Sequence, residues 1–157
     1  MPEGGGIGEV RRVAVVANPK VSVLERTNVR HLKGEDLPFE PDFLVADLSF
    51  ISLAVALRTL LSSTPSITEA VVLVKPQFEA GPDLVGRGGL VGDPEVRAGV
   101  IVNVVGSFAA LGFGAVDLAP AAVTGRKSGN QEYPLRLLRG TATTLDEGRV
   151  REVVADA

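Results

Sequence analysis

Asp47 and Lys75 are the residues best placed to do chemistry in this chain. Each ends an apolar run: FLVAD delivers the carboxylate and AVVLVK delivers the amine. A charge set into apolar surroundings costs several kcal/mol unless it is paired, so each needs a reason to be there. In an open α/β sheet, ligands sit just beyond the carboxyl ends of the strands. Two strands ending this way aim an amine and a carboxylate at one crevice. The plain reading is an ion pair that stitches neighbouring strands. The functional reading is a general base for a hydroxyl, with the carboxylate holding the amine. Glu132, just after the Gly129-Asn130 turn, adds a second carboxylate. Taken alone, it reads as an exposed residue at the start of a strand.

Other polar residues have weaker claims. Arg26, Asn28 and Arg30, in ERTNVRHL, form either a solvated turn or a polar rim to the same crevice. A carboxamide such as that of Asn28 can hydrogen-bond a base edge. Arg126-Lys127 could touch phosphate, but two basic residues in a turn usually face solvent. His31 reads as a surface residue. Gly4-Gly5-Gly6 with Gly8 precedes the first strand, so it is no dinucleotide loop, and Gly125-Arg126-Lys127-Ser128 lacks the upstream Gly of a phosphate-binding loop.

The elements that must position these residues follow from apolar runs and breakers. Val13–Ala17 and Val21–Leu24 read as short strands separated by the turn signal Asn18-Pro19. Phe43–Leu48 and Ala70–Val74 read as buried strands, because their apolar character is continuous. Ser52–Leu61 reads as a helix and Glu79–Gly92, with five glycines, as a loop. Asp93-Pro94-Glu95 is a strong helix start, and that helix is expected to stop at Gly112. Ala115–Val123 and Glu132–Leu138 read as a late antiparallel pair, and the Ala-rich tail after Gly140 as a short helix. Strand-helix-strand alternation with a closing pair predicts an α/β, doubly wound sheet with an antiparallel edge.

Composition bounds the rest. The 157 residues suit one domain with a mainly aliphatic core, at 45% hydrophobic, 4% aromatic and no Trp. Absence of Cys removes disulfides and thiolate chemistry, and a single His makes a zinc site or a Ser-His-Asp triad implausible; no metal is expected. A net charge of −3 does not advertise a nucleic-acid-binding face. The first residues lack the pattern of a signal peptide, so a cytoplasmic location is expected. Ala98–Val116 carries no charge, yet Asn103, Ser107 and four glycines favour a buried helix and strand over a membrane span.

Five segments, taken in order, resemble one family. VLERTNVRHL, PDFLVADLSFISL, VLVKPQFEAG, GRGGLVGDP and SGNQEY, spread over about residues 20–138, are similar to the TlyA family. Its members are hemolysin-named, FtsJ-like ribosomal RNA methyltransferases. The resemblance implies a Rossmann-like sheet with an antiparallel terminal strand. It also implies S-adenosyl-L-methionine as methyl donor and ribosomal RNA within ribosomal subunits as partner. From the family's Lys-Asp-Lys-Glu set it implies catalytic roles for Asp47, Lys75 and Glu132. Asn28 falls where relatives contact the adenine, and Asp47 counts among the cofactor-facing residues as well. A complete member also carries an S4-like domain, a first catalytic Lys, a Gly-rich cofactor loop and an acid for the cofactor ribose. None of these is visible in this sequence. The expected division is thus an atypical segment 1–19, a partial, N-terminally incomplete methyltransferase domain 20–140, and a tail 141–157. Weak or absent cofactor binding by the 157-residue chain alone is the expected result, and tight S-adenosylmethionine binding in a calorimetric titration would overturn it. Two other classes compete: a non-catalytic remnant serving as a binding module, and a membrane-active hemolysin. The oligomeric state is left open.

Overall fold

The computed structural model describes residues 18–125 and 129–156. The expected strand at 13–17, the Gly-rich opening and the Arg126-Lys127 pair lie outside the described residues. Four strands and four helices follow in the order β1 (Phe43–Ala46), α1 (Leu53–Ser63), β2 (Glu69–Val74), α2 (Pro76–Glu79), α3 (Pro94–Ala110), β3 (Phe113–Leu118), β4 (Tyr133–Arg139) and α4 (Glu147–Ala155).

The strands form one sheet in the order β1-β2-β4-β3. β1 and β2 are parallel, and β4 runs antiparallel to both of its neighbours. The last strand is therefore antiparallel as expected, but it lies inside the sheet and not at its edge. Its composition explains the slot: Leu135 and Leu137 are fully buried, and in that position both backbone edges find partners.

The core lies on one face of the sheet. Ala70, Val72 and Val74 of β2 share that face with Tyr133, Leu135 and Leu137 of β4, under α1 and α3. Burying each large apolar side chain, such as Leu57, Ile101, Phe108 or Phe113, contributes about 1.5–3 kcal/mol. The opposite face is thinly covered, so the double winding read from the sequence is present on one face only among the described residues. β1 departs from its reading as a buried strand for the same reason. Ala46 is buried, whereas Phe43 and Val45 are 46% and 69% exposed on the other side.

Residues Val21–Leu24 form no strand, and Val21, Val23 and Leu24 are exposed. Among the described residues no neighbouring strand offers them a ladder. The chain instead makes short 3-10 turns at Val29–His31 and Gly34–Asp36 that pack against α1. The Asn18-Pro19 turn is present, with the Lys20 N–H donating to Asn18 Oδ1 at 2.9 Å.

α3 follows its sequence signals closely. Asp93 caps it by accepting from the Glu95 N–H at 2.9 Å, Pro94 opens it, and Leu111 closes it. Ala98, Ile101, Val104 and Phe108 make its buried stripe. The uncharged run is thus a helix followed by a strand, and no described helix is long and apolar enough to cross a membrane.

The segment after Gly140 belongs to the same packed body. Thr143 Oγ1 accepts from the Ala115 N–H at 3.2 Å, and the N–H groups of Thr144 and Leu145 donate to the Ala115 carbonyl at 3.0 and 3.1 Å. α4 then buries Val150, Val153 and Val154 beside α3. Far from the site, Arg139 donates to the carbonyls of Ile67, Leu61 and Thr64 at 2.7, 2.9 and 3.0 Å and sits 4.6 Å from the centre of the Phe113 ring. Burial lowers the pKa of that guanidinium, which three carbonyls nonetheless satisfy.

Candidate active site

Asp47 directly follows β1 and Lys75 directly follows β2. These two strands are parallel neighbours, so both side chains emerge at one end of the sheet. They meet: Lys75 Nζ lies 2.6 Å from Asp47 Oδ1, and it also donates to Ser49 Oγ at 3.3 Å. The pair is asymmetric. The Lys75 side chain is only 13% exposed, whereas Asp47 is 66% exposed. The amine is covered by protein, and the carboxylate that holds it faces open space.

Glu132 arrives from the other direction. β4 is antiparallel to β2, and Tyr133 pairs with Val74. Glu132, one residue before Tyr133, therefore sits at the same sheet end as Lys75. Its Oε1 accepts from Gln77 Nε2 at 3.2 Å. The contact partner of Glu132 is thus Gln77 of α2, and the ion pair that holds Lys75 is made by Asp47.

Asn28 stands apart. Its Oδ1 accepts from the Arg30 N–H at 3.0 Å and caps the first 3-10 turn. It lines a cavity of about 390 Å³ with Leu24, Arg26, Thr27, His31, Leu32 and Asp36. Asp47, Lys75 and Glu132 are not among the lining residues, so Arg26, Asn28 and His31 border a space of their own. Among the described residues no cluster of His, Asp and Glu is arranged to hold a metal.

Four residues at the site were not singled out from the sequence. Phe50 has a positive φ of 66° and is 88% exposed, with its ring centre 4.8 Å from that of Phe78. A bulky residue in that backbone region is strained, which is common beside functional sites. Nothing in SFISL announces it. Gln77 is the second. Its Oε1 is buried with no partner among the described residues, which leaves an acceptor beside Glu132.

The third is Glu79, whose Oε1 accepts from the Leu53 N–H at 2.8 Å and thereby caps α1 from α2. Burial pushes its carboxyl pKa up, against the bond from Leu53 and one from Ser52. A raised folded value favours the protonated form in the fold. That contribution is complete below the unfolded value and is lost as pH rises through the folded one. Glu79→Gln keeps an acceptor for Leu53 without the charge, so its stability relative to the native chain should rise between about pH 4 and pH 7. Thermal melts at both pH values check this. A gap that does not change with pH would show that burial of the charge carries no cost.

The fourth is Asn130, which reads from sequence as half of a Gly-Asn turn. It is 1% exposed. Its Oδ1 accepts from the Val91 N–H and its Nδ2 donates to the Gly89 carbonyl, each at 2.8 Å. The SGNQEY segment held the signal, but Gly and Asn side by side also read as a simple turn.

The comparisons with known proteins fit this arrangement. The profile of the family described as FtsJ-like methyltransferase matches residues 8–138. The 16S/23S rRNA (cytidine-2'-O)-methyltransferase TlyA of Mycobacterium tuberculosis is 42% identical over 137 residues, covering 87% of this chain and 51% of the relative. Hemolysin A of Brachyspira hyodysenteriae is 30% identical over 115 residues, covering 73% of this chain and 48% of the relative. The chain therefore spans about half the length of these curated relatives. A hemolysin-named protein of Lactococcus lactis, known from its crystal structure, superposes with a TM-score of 0.80 at 32% identity, covering 90% of this chain and 68% of that one. With a profile match over most of its length and the same fold in a solved relative, the chain belongs to the FtsJ-like methyltransferase family, on the branch that includes TlyA.

Proposed function

We propose that this chain carries the acceptor side of an S-adenosylmethionine-dependent methyl transfer to ribose 2'-hydroxyls of ribosomal RNA. The observation that carries the reading is the Lys75–Asp47 pair at the ends of two parallel strands, in a methyltransferase-family sheet. Lys75, once its ammonium has given up a proton to solvent, takes the proton of the 2'-hydroxyl at Nζ, with Asp47 fixing the amine beside it. Glu132, bonded to Gln77, borders the other side of the same sheet end. Phe50 offers an exposed aromatic face, which suits stacking of an unpaired RNA base. Much of the rate gain in such a reaction comes from aligning hydroxyl and methyl group.

The residues around Asn28 fit the adenine end of the cofactor. A carboxamide for the base edge is flanked by the aliphatic side chains of Leu24 and Leu32, in a cavity of suitable size. Asn28 would hold the base there, and Asp47 is the site carboxylate nearest in role to the cofactor. When bound, the cofactor supplies the electrophilic methyl group. The partners on this reading are ribosomal subunits, in the cytoplasm.

The test is transfer of labelled methyl from S-adenosylmethionine, in large excess, to ribosomal subunits, followed by nucleoside analysis of the RNA. Label on a ribose 2'-oxygen is the expected result. Label confined to bases, or no label above a chain-free control, would overturn the reading.

A further inference from the structure

Asn130 does more than turn the chain. Its carboxamide is buried and bonded at both ends to the Gly-rich loop 86–92, through Val91 N–H and the Gly89 carbonyl. The loop is folded on itself as well, with Gly86 N–H donating to the Leu90 carbonyl at 2.8 Å and Gly89 N–H to the Gly86 carbonyl at 3.1 Å. Gly88 and Gly89 both have positive φ, 70° and 77°, so the shape Asn130 grips is one that glycine permits. The Asn130 carbonyl also accepts from the Gly125 N–H at 2.7 Å, which fixes its own backbone. Two residues further on, Glu132 bonds Gln77, which lies two residues beyond Lys75.

We propose that Asn130 is a positioning residue that couples the Gly86–Gly92 loop to the Glu132 end of β4, so that loop and carboxylate hold or lose their places together. A fastened loop alone would need only one bond to any nearby backbone. Here the fastening residue lies on the short segment that also carries Glu132, and a carboxamide supplies both an acceptor and a donor to backbone groups two residues apart. Only Asn and Gln carry an amide, whose oxygen and nitrogen match a backbone N–H and carbonyl side by side. Displacement of the loop must therefore pull on the segment that sets Glu132 against Gln77. The proposal rests on the reading of Glu132 as a site residue, but its test does not depend on turnover.

The experiment is amide hydrogen exchange and side-chain NMR on the full 157-residue chain, native and Asn130→Ala. Exchange at the Val91 amide should rise about tenfold or more in the variant, the effect of losing on the order of 1.4 kcal/mol of local protection. The amides of Val72 and Ala115 should keep their native rates, and the Gln77 side-chain amide resonances should move. Native exchange at Val91 would overturn the clamp. Faster exchange at Val91 with unmoved Gln77 resonances would overturn the coupling and reduce Asn130 to a loop fastener. Should Asn130→Ala not fold, Asn130→Leu has nearly the same shape and carries the test, since it removes both bonds to the loop. The same two signals must then change, and native behaviour of both overturns the proposal. Either refutation leaves methyl transfer standing, and failure of methyl transfer leaves the clamp standing.

Discussion

Lys75→Ala should lower methyl transfer to ribosomal RNA by about 10²–10⁴-fold, the usual worth of a positioned general base. The fold should survive, because the pair it breaks is half open to solvent. Asp47 is 66% exposed, and exposed ion pairs contribute about 0–1 kcal/mol. A large loss of rate with a small loss of stability is what separates a catalytic amine from a stitch between strands. Lys75→Arg sharpens the distinction. A guanidinium keeps the positive charge and can pair with Asp47, but it cannot give up a proton. If Lys75 acts only through its charge, the Arg variant retains most of the rate. If it takes the hydroxyl proton, Arg fails as Ala does. Asp47→Asn should reduce the rate as well, since it removes the carboxylate that fixes the amine in place. Methyl transfer by Lys75→Ala at the native rate would remove the amine from the mechanism.

The residues that could be read from the sequence are those whose placement follows from strand ends. Asp47 and Lys75 were legible because an apolar run followed by one charge has few explanations, and the parallel pairing of β1 and β2 brings them together. α3 was legible from its cap and proline, which act locally. What could not be read depends on contacts distant in sequence. Val21–Leu24 has strand composition, but a strand needs a partner, and composition does not supply one. β1 reads as buried on both faces because FLVA alone does not reveal that one face stays open. The interior position of β4 is a matter of topology, decided by which edges remain to be paired. Glu79 capping α1, Gln77 meeting Glu132, and Asn130 gripping loop 86–92 join residues 26, 55 and 39–41 positions apart. No local pattern encodes such bonds.

Gly114→Ala should be among the most damaging single substitutions outside the site. A Cβ at Gly114 would land on the Thr141 carbonyl and on the backbone of Ala142, neither of which is the end of a flexible side chain. The segment that crosses there is also held by the bonds from Thr143, Thr144 and Leu145 to Ala115. Relief requires that this segment lift, and with it Leu145 and the anchoring valines of α4 lose their burial. Overpacking against backbone costs about 1–3 kcal/mol before any such loss is added. A total of about 3 kcal/mol or more is expected, a fall of roughly 6–12 °C in Tm at about 2–4 °C per kcal/mol. The control is the same substitution on α3. Gly99 and Gly106 have open space where a Cβ would sit and lie in helix, so Ala there should be neutral or gain up to about 1 kcal/mol. Amide exchange gives the mechanism a second check. In Gly114→Ala the amides of α4 should lose protection more than those of β1 and β2, because the lifted segment leads into α4 and not toward the site. A native Tm for Gly114→Ala would mean that the crossing segment does not bear on β3. The tail would then lie free of the sheet, and the close approach that excludes every side chain but glycine at position 114 would have no energetic consequence.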